Sequence, residues 1–155
     1  MYWINLDGSA EIASLMEQFG SFHDSCIKEA RYVSGAYVDT DYSMLAENGR
    51  RDLCLLFQRQ ESGPEAIELV FTGVRSFHLE PATPEFTCEI MEAYLRWEED
   101  LIWWSDWPDF DPAQPRLGEN YTWVCAEGAR WRSVDGWLGG GEIYTPNRAA
   151  GDLST

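Results

Sequence analysis

"DLCLLFQRQESGPEAIELVFTGV", residues 52–74, decides the fold. Its two arms, DLCLLFQRQ and AIELVFTGV, are rich in β-branched, aromatic or alternating apolar residues, which suit a pleated and half-buried surface. Between them, ESGP at residues 61–64 gathers the residue types that punctuate a chain, so the stretch predicts two antiparallel strands joined by a hairpin turn. Working outward, FHDSCIKEARYV at residues 22–33 is a third strand-like run, and a polar loop over 39–51 separates it from the pair. YTWVCAEGARWRSV at residues 121–134 places AEGA between two alternating arms, and this predicts a further hairpin.

One helix precedes the strands. Ile12, Leu15, Met16 and Phe19 fall on a single helical face, with Ser9 placed to cap its start and Gly20 to stop it. Residues 86–107 admit two readings. Thr83 and Pro84 suit a helix start with Phe86, Ile90, Tyr94, Leu95, Leu101 and Ile102 on one face, whereas YLRW and LIWW favour strands with Glu98, Glu99 and Asp100 at a hairpin tip. The hairpin is preferred. The chain after Leu138 holds three consecutive glycines and a proline and ends in GDLST; it predicts a mobile tail over 139–155 that buries too little to offset its ordering entropy. The expected architecture is α+β: one globular domain over 1–138, built on a mainly antiparallel and strongly curved β-sheet with one short N-terminal helix.

Composition narrows the function. The 155 residues make about one domain, and 45% hydrophobic with 14% aromatic residues argues for a packed core rather than disorder. There are 27 acidic against 11 basic side chains, a net charge of −16. Such a field repels phosphate backbones and anionic lipid, so nucleic acid and membrane are not expected as partners, and cationic ones are. The start, MYWINLDGSAEI, has no basic segment before an apolar one, and no run approaches the ~20 apolar residues of a membrane span, which predicts a cytoplasmic protein. Cys26, Cys54, Cys88 and Cys125 lack the close pairing of zinc sites and are expected as buried free thiols.

The order of helix, Phe22-His23-Asp24 strand start, the phrase Leu69, Phe71, Gly73, Val74, and the late YTWVCAEGARWRSV resembles a known group. It is similar to the small β-rich immunity proteins of bacterial polymorphic toxin systems, the immunity protein 50-like family. The likeness spans about residues 19–134, apart from the polar loop before Asp52 and a tryptophan-rich insertion around 97–111. It implies a binding protein that neutralises a toxin made by the same cell, and it transfers no catalytic residue.

Candidate chemistry is thin, and no cofactor or metal is expected. His23-Asp24 suggests a metal-dependent phosphohydrolase, but the chain has only one other histidine, His78, and neighbours on a strand face opposite ways. A hydrogen-bonded strand start is preferred. Ser21, His23 and Ser25 share a strand face, with Cys26 turned away from it, and no glycine-flanked elbow presents a nucleophile. DWPDFDP alternates carboxylates as calcium loops do, yet counting from Asp109 puts Gln114 where glycine is needed and Asn120 where the bidentate glutamate belongs. Sugar cleavage by paired carboxylates is the enzymatic alternative, with Glu98, Glu99, Asp106 and Asp109 beside Trp103 or Trp104 as a stacking platform. An acidic structural or oligomeric protein is the third.

The densest feature is the window 80–111, with ten acids against Arg96 alone and four of the eight tryptophans. A strand alternates, so with one open sheet face the adjacent Trp103 and Trp104 cannot both be buried. An aromatic ring among carboxylates suits arginine and lysine. The expected function is therefore a non-catalytic acidic binding protein, an immunity-type inhibitor of a basic effector or nuclease toxin. Its expected contacts are Glu98, Glu99, Asp100, Asp106, Asp109 and Asp111, with Trp104 and Trp107 as anchors.

Overall fold

In the computed structural model, residues 2–118 and 120–145 are described. Strands form over the apolar runs: β1 Ile4–Asn5, β2 Ser25–Val33, β3 Tyr37–Val38, β4 Met44–Leu45, β5 Asp52–Arg59, β6 Ala66–His78, β7 Tyr94–Glu98, β8 Leu101–Ser105 and β9 Trp123–Ser133. The helix α1 covers Ser9–Gln18. The main sheet runs β2-β5-β6-β9-β8-β7, every neighbouring pair antiparallel, and is not closed. β1 joins the C-terminal half of β9, on the side where β8 takes its N-terminal half. β3 and β4 form a small separate pair, β3 just before the polar loop and β4 inside it.

Cross-strand partners share a sheet face, so the register identifies the core. Leu53 pairs with Phe71 and Phe71 with Ala129; Leu55 pairs with Leu69 and Leu69 with Trp131. Ile12, Leu15 and Phe19 cover this face from α1 and its end, and Leu6 and Phe22 close the sides. On the other face Leu56, Ala66 and Val134 form a second cluster under Trp137, Ile143 and Tyr144. With both faces covered, β5 shows a continuous apolar run from Leu53 to Phe57 rather than strict alternation.

Several expectations hold in detail. The β5–β6 hairpin turns through residues 60–65, and α1 lies where the periodicity places it. The β7–β8 hairpin has Glu99 and Asp100 at its tip, both at positive φ (51° and 67°). That is the conformation of a two-residue turn whose twist matches its strands.

Others are corrected. Residues 121–134 are not a hairpin: β9 is one strand paired along its length with β6. The apparent turn residues lie within the paired strand: Gly128 pairs with Thr72 and Glu127 faces Gly73, whose φ is +59°, next to a register irregularity between Val74 and Ser76. Ser9 is the first helical residue, and the N-cap is Gly8 with no side-chain capping bond. Residues 20–22 form a 3₁₀ turn, and β2 begins only at Ser25, so Ser21 and His23 are not strand neighbours of Ser25. Part of the expected mobile tail is packed: Ile143 and Tyr144 donate their backbone N–H groups to the Glu29 carboxylate at 2.8 and 3.1 Å. Residues 146–155 of that tail lie outside the described residues.

Candidate functional site

The predicted contacts divide into two groups. Glu98, Glu99 and Asp100 are exposed at the β7–β8 tip. Asp106, Trp107, Asp109 and Asp111 follow the other end of β8. The five residues of β8, at ~3.4 Å each, put roughly 17 Å between the groups.

Trp104 is corrected outright. It is 0% exposed and packs edge-on against Phe22 and at a tilt to Phe57, with centroids at 5.8 and 5.3 Å. It is a core residue and offers a partner nothing. Nor does strand alternation expose one of Trp103 and Trp104, because both sheet faces are covered here. Trp103 lies half-buried on the opposite face, 5.9 Å from Phe110 and 6.1 Å from Trp123. Phe110 is itself buried, and its loop folds it back over the strand between exposed Asp109 and Asp111. Trp97 is half-buried and donates its indole N–H to Leu6 O at 2.8 Å. Trp104 therefore offers a sugar no stacking surface.

Asp106 and Trp107 do belong to an open site. They line a cleft of about 920 Å3 together with Glu80, Phe86, Glu89 and Tyr121. Its walls come from three places: the 79–91 connection between β6 and β7, the 106–108 segment after β8, and 120–122 before β9. Ile27 and Ala30 of β2 border it. The apolar lining is uncovered, with Phe86 75%, Met91 64% and Tyr121 37% exposed. Trp107 is half-buried and stacks on Tyr121, centroids 4.7 Å apart at 14°.

Thr122 ties these walls together. Its N–H donates to Asp106 Oδ1 at 3.0 Å, its carbonyl accepts from Asp106 N at 3.2 Å, and its hydroxyl accepts from Glu80 N at 3.0 Å. Desolvation pushes the Asp106 carboxyl up to about 6, against the smaller opposing effect of the Thr122 and Asp106 amides. Burial disfavours the charged form of a carboxyl that has no cation beside it. Glu89 is likewise raised, chiefly by a side-chain hydrogen bond with Asp24. The cleft thus holds carboxyl groups that a cation would stabilise.

His23 and Asp24 sit beside this wall. His23 Nδ1–H donates to Met91 O at 2.8 Å, and its Nε2 lies 3.4 Å from Asp24 Oδ1. The Asp24 amide donates to Ile90 O, Ile90 N to Ser25 O, and Ser25 Oγ to Phe22 O. The expected hydrogen-bonded strand start is therefore present, although the two side chains are neighbours rather than opposed. Among the described residues no group of three or more histidine, cysteine and acidic side chains could hold a metal ion. The cysteines are free, but Cys88 is exposed, contrary to expectation; Cys26 and Cys54 are half-buried and Cys125 is buried. No helix among the described residues is long and apolar enough to cross a membrane.

Sequence reasoning missed Glu80, Phe86, Glu89, Met91 and Tyr121. The available signal was Phe86 and Met91 in a segment, PATPEFTCEIM, that has no strand alternation to bury them. In comparisons with protein-family models, curated proteins and solved structures, the chain matches none.

Proposed function

We propose that the protein is a non-catalytic acidic binding protein, an immunity-type inhibitor that neutralises a basic effector protein, and that it grips this partner at the cleft rather than at the β7–β8 tip. One observation carries the reading: wall acids Glu80, Glu89 and Asp106 and uncovered Phe86, Met91 and Tyr121 line the same cleft. Interfaces draw most of their energy from aromatic and apolar anchors, while complementary charge raises the association rate and selects the partner. The net charge of −16 extends that selection beyond the cleft. A nuclease, which must be positive to hold phosphates, is the fitting class of effector.

The test uses the intact protein against the purified basic proteins encoded beside its gene, each assayed for nuclease activity. Wild type should inhibit the nuclease, less so as salt rises. Glu89→Lys with Glu80→Lys should weaken inhibition at least tenfold, and Glu99→Lys at the remote tip should leave it within about threefold. Equal effects at both places would remove the cleft from the reading. Inhibition insensitive to either would remove the electrostatic reading altogether.

A further inference from the structure

We infer that the free edge of β2 receives an extended segment of the partner as an added strand, which carries cationic side chains into the cleft. This rests on the cleft reading above and specifies how the cleft is occupied.

β2 is an end strand of the main sheet and, among the described residues, pairs only with β5, apart from a single bridge between Ser25 and Ile90. Among the described residues no backbone hydrogen bond leaves Cys26–Val33 on the side away from β5 except through that bridge at its start. The pairing with β5 is irregular between Ile27 and Glu29 and regular from Glu29 to Val33. A bulge commonly blunts an edge, and here it protects only the beginning. Beyond it five residues keep strand geometry, and among the described residues nothing pairs with their outward amides and carbonyls. Ala30, Arg31 and Tyr32 are exposed there.

The edge and the cleft are continuous. Ile27 pairs with Phe57 and Ala30 with Leu55, so both face the core side of the sheet, where they border the cleft opposite Phe86 and Met91. A strand laid beside β2 would therefore point every second side chain into the cleft, toward Glu80, Glu89 and Asp106. Its other side chains would stand beside Arg31, which pairs with Cys54 on the opposite face. Charge complementarity then sets the pattern of the occupant: lysine or arginine at cleft-facing positions alternating with uncharged residues. Backbone hydrogen bonds would supply affinity and the alternate side chains selectivity, as in other strand-addition complexes.

The probe is a capped hexapeptide of alternating arginine and threonine, with two isomers N-methylated at one or the other set of alternate amides and a peptide of the same composition with its arginines in one block. Binding to the full chain is followed by calorimetry and by the part of the tryptophan fluorescence change that is lost in Trp107→Phe. The alternating peptide should bind more tightly than the block peptide, one methylated isomer should lose at least tenfold, and the other should stay within about twofold. Glu89→Lys should weaken the alternating peptide several-fold. If both methylated isomers bind like the parent while Glu89→Lys still weakens them, strand addition is overturned and the cleft reading stands. If no peptide binds, or if binding ignores Glu89, addition of a cationic strand is overturned, and the cleft reading is decided by the nuclease assay. A protein mass that rises with concentration and is reversed by the peptide would assign the edge to a second copy of this chain and overturn the inference.

Discussion

Glu127 lays its carboxylate over the bare Cα of Gly73, so that a β-carbon built on residue 73 would overlap Glu127 Oε2. The carboxylate is held there by Arg75, 2.9 Å from Oε1, and by Arg51, 3.5 Å from Oε2. These contacts tie β6, β9 and the loop before β5 together next to the register irregularity between Val74 and Ser76. Gly73→Ala should cost about 2 kcal/mol or more, from ~1–2 kcal/mol for a side chain at positive φ plus the displaced ion pairs. Urea unfolding measures it. Gly73→Ala combined with Glu127→Ala should recover the overlap but not the φ cost, and a Gly73→Ala protein as stable as wild type would contradict the geometry.

The same pair explains what was legible in the sequence and what was not. The β5–β6 hairpin was readable because its apolar runs and the ESGP link act locally, and the β7–β8 hairpin because Glu99 and Asp100 separate two aromatic runs. Glu127-Gly128 looked like a turn because a glycine beside a charge is the usual local sign of one. Its role is set by Gly73, more than fifty residues earlier in the chain. The tail looks unpacked in sequence for a similar reason, since Ile143 and Tyr144 find their surface on β5 and β6. The cleft was invisible because its walls lie at 79–91, 106–108 and 120–122, and only the sheet order brings them together.

Trp104 and Trp107, three positions apart, should respond in opposite ways. Trp104→Ala removes a fully buried ring from between Phe22 and Phe57, and it should cost about 3–5 kcal/mol. Trp107→Ala loses a half-buried ring stacked on Tyr121. It should cost about 1 kcal/mol and weaken partner binding instead. Thermal or chemical unfolding beside an inhibition assay separates the two, and a Trp104→Ala protein of normal stability would undo the core assignment.

Tyr144 donates its hydroxyl to Glu68 Oε2 at 2.6 Å, and the other Glu68 oxygen takes Arg132 at 3.1 Å. Glu68 is only 6% exposed, so water cannot readily replace the phenol. Burial and the Glu68 carboxylate push the Tyr144 pKa upward, which keeps this donor protonated. Tyr144→Phe keeps the ring over Leu56 and Val134 but leaves a buried carboxylate oxygen unpaired, at a cost of about 1–3 kcal/mol. Deleting residues 139–155 should cost more, because it also uncovers the Leu56, Ala66 and Val134 cluster. No loss in urea unfolding for either variant would mean that the segment is not docked in solution.

Asp106 gives the cleft a pH dependence whose sign is fixed by its burial. Its pKa rises from an ordinary value of 3.8 to about 6 on folding, so the folded protein holds this proton more tightly than the unfolded one. The resulting stability is fully present below about pH 4 and is lost as pH rises through about 6. Asp106→Asn keeps an acceptor for the Thr122 N–H without the charge, so its stability should not show this decline between pH 4 and 6. Carbon-detected titration of the carboxyl should give a midpoint near 6. A cationic side chain entering beside Asp106 stabilises the ionised form, so binding near pH 6 should release a proton and lower that midpoint. Calorimetry in buffers of different ionisation enthalpy detects the release, and its disappearance in Asp106→Asn would tie the proton to this residue. A midpoint near 4 in the free protein would show that the carboxyl is hydrated, and the cleft would then lack the desolvated acid that makes a cation welcome there.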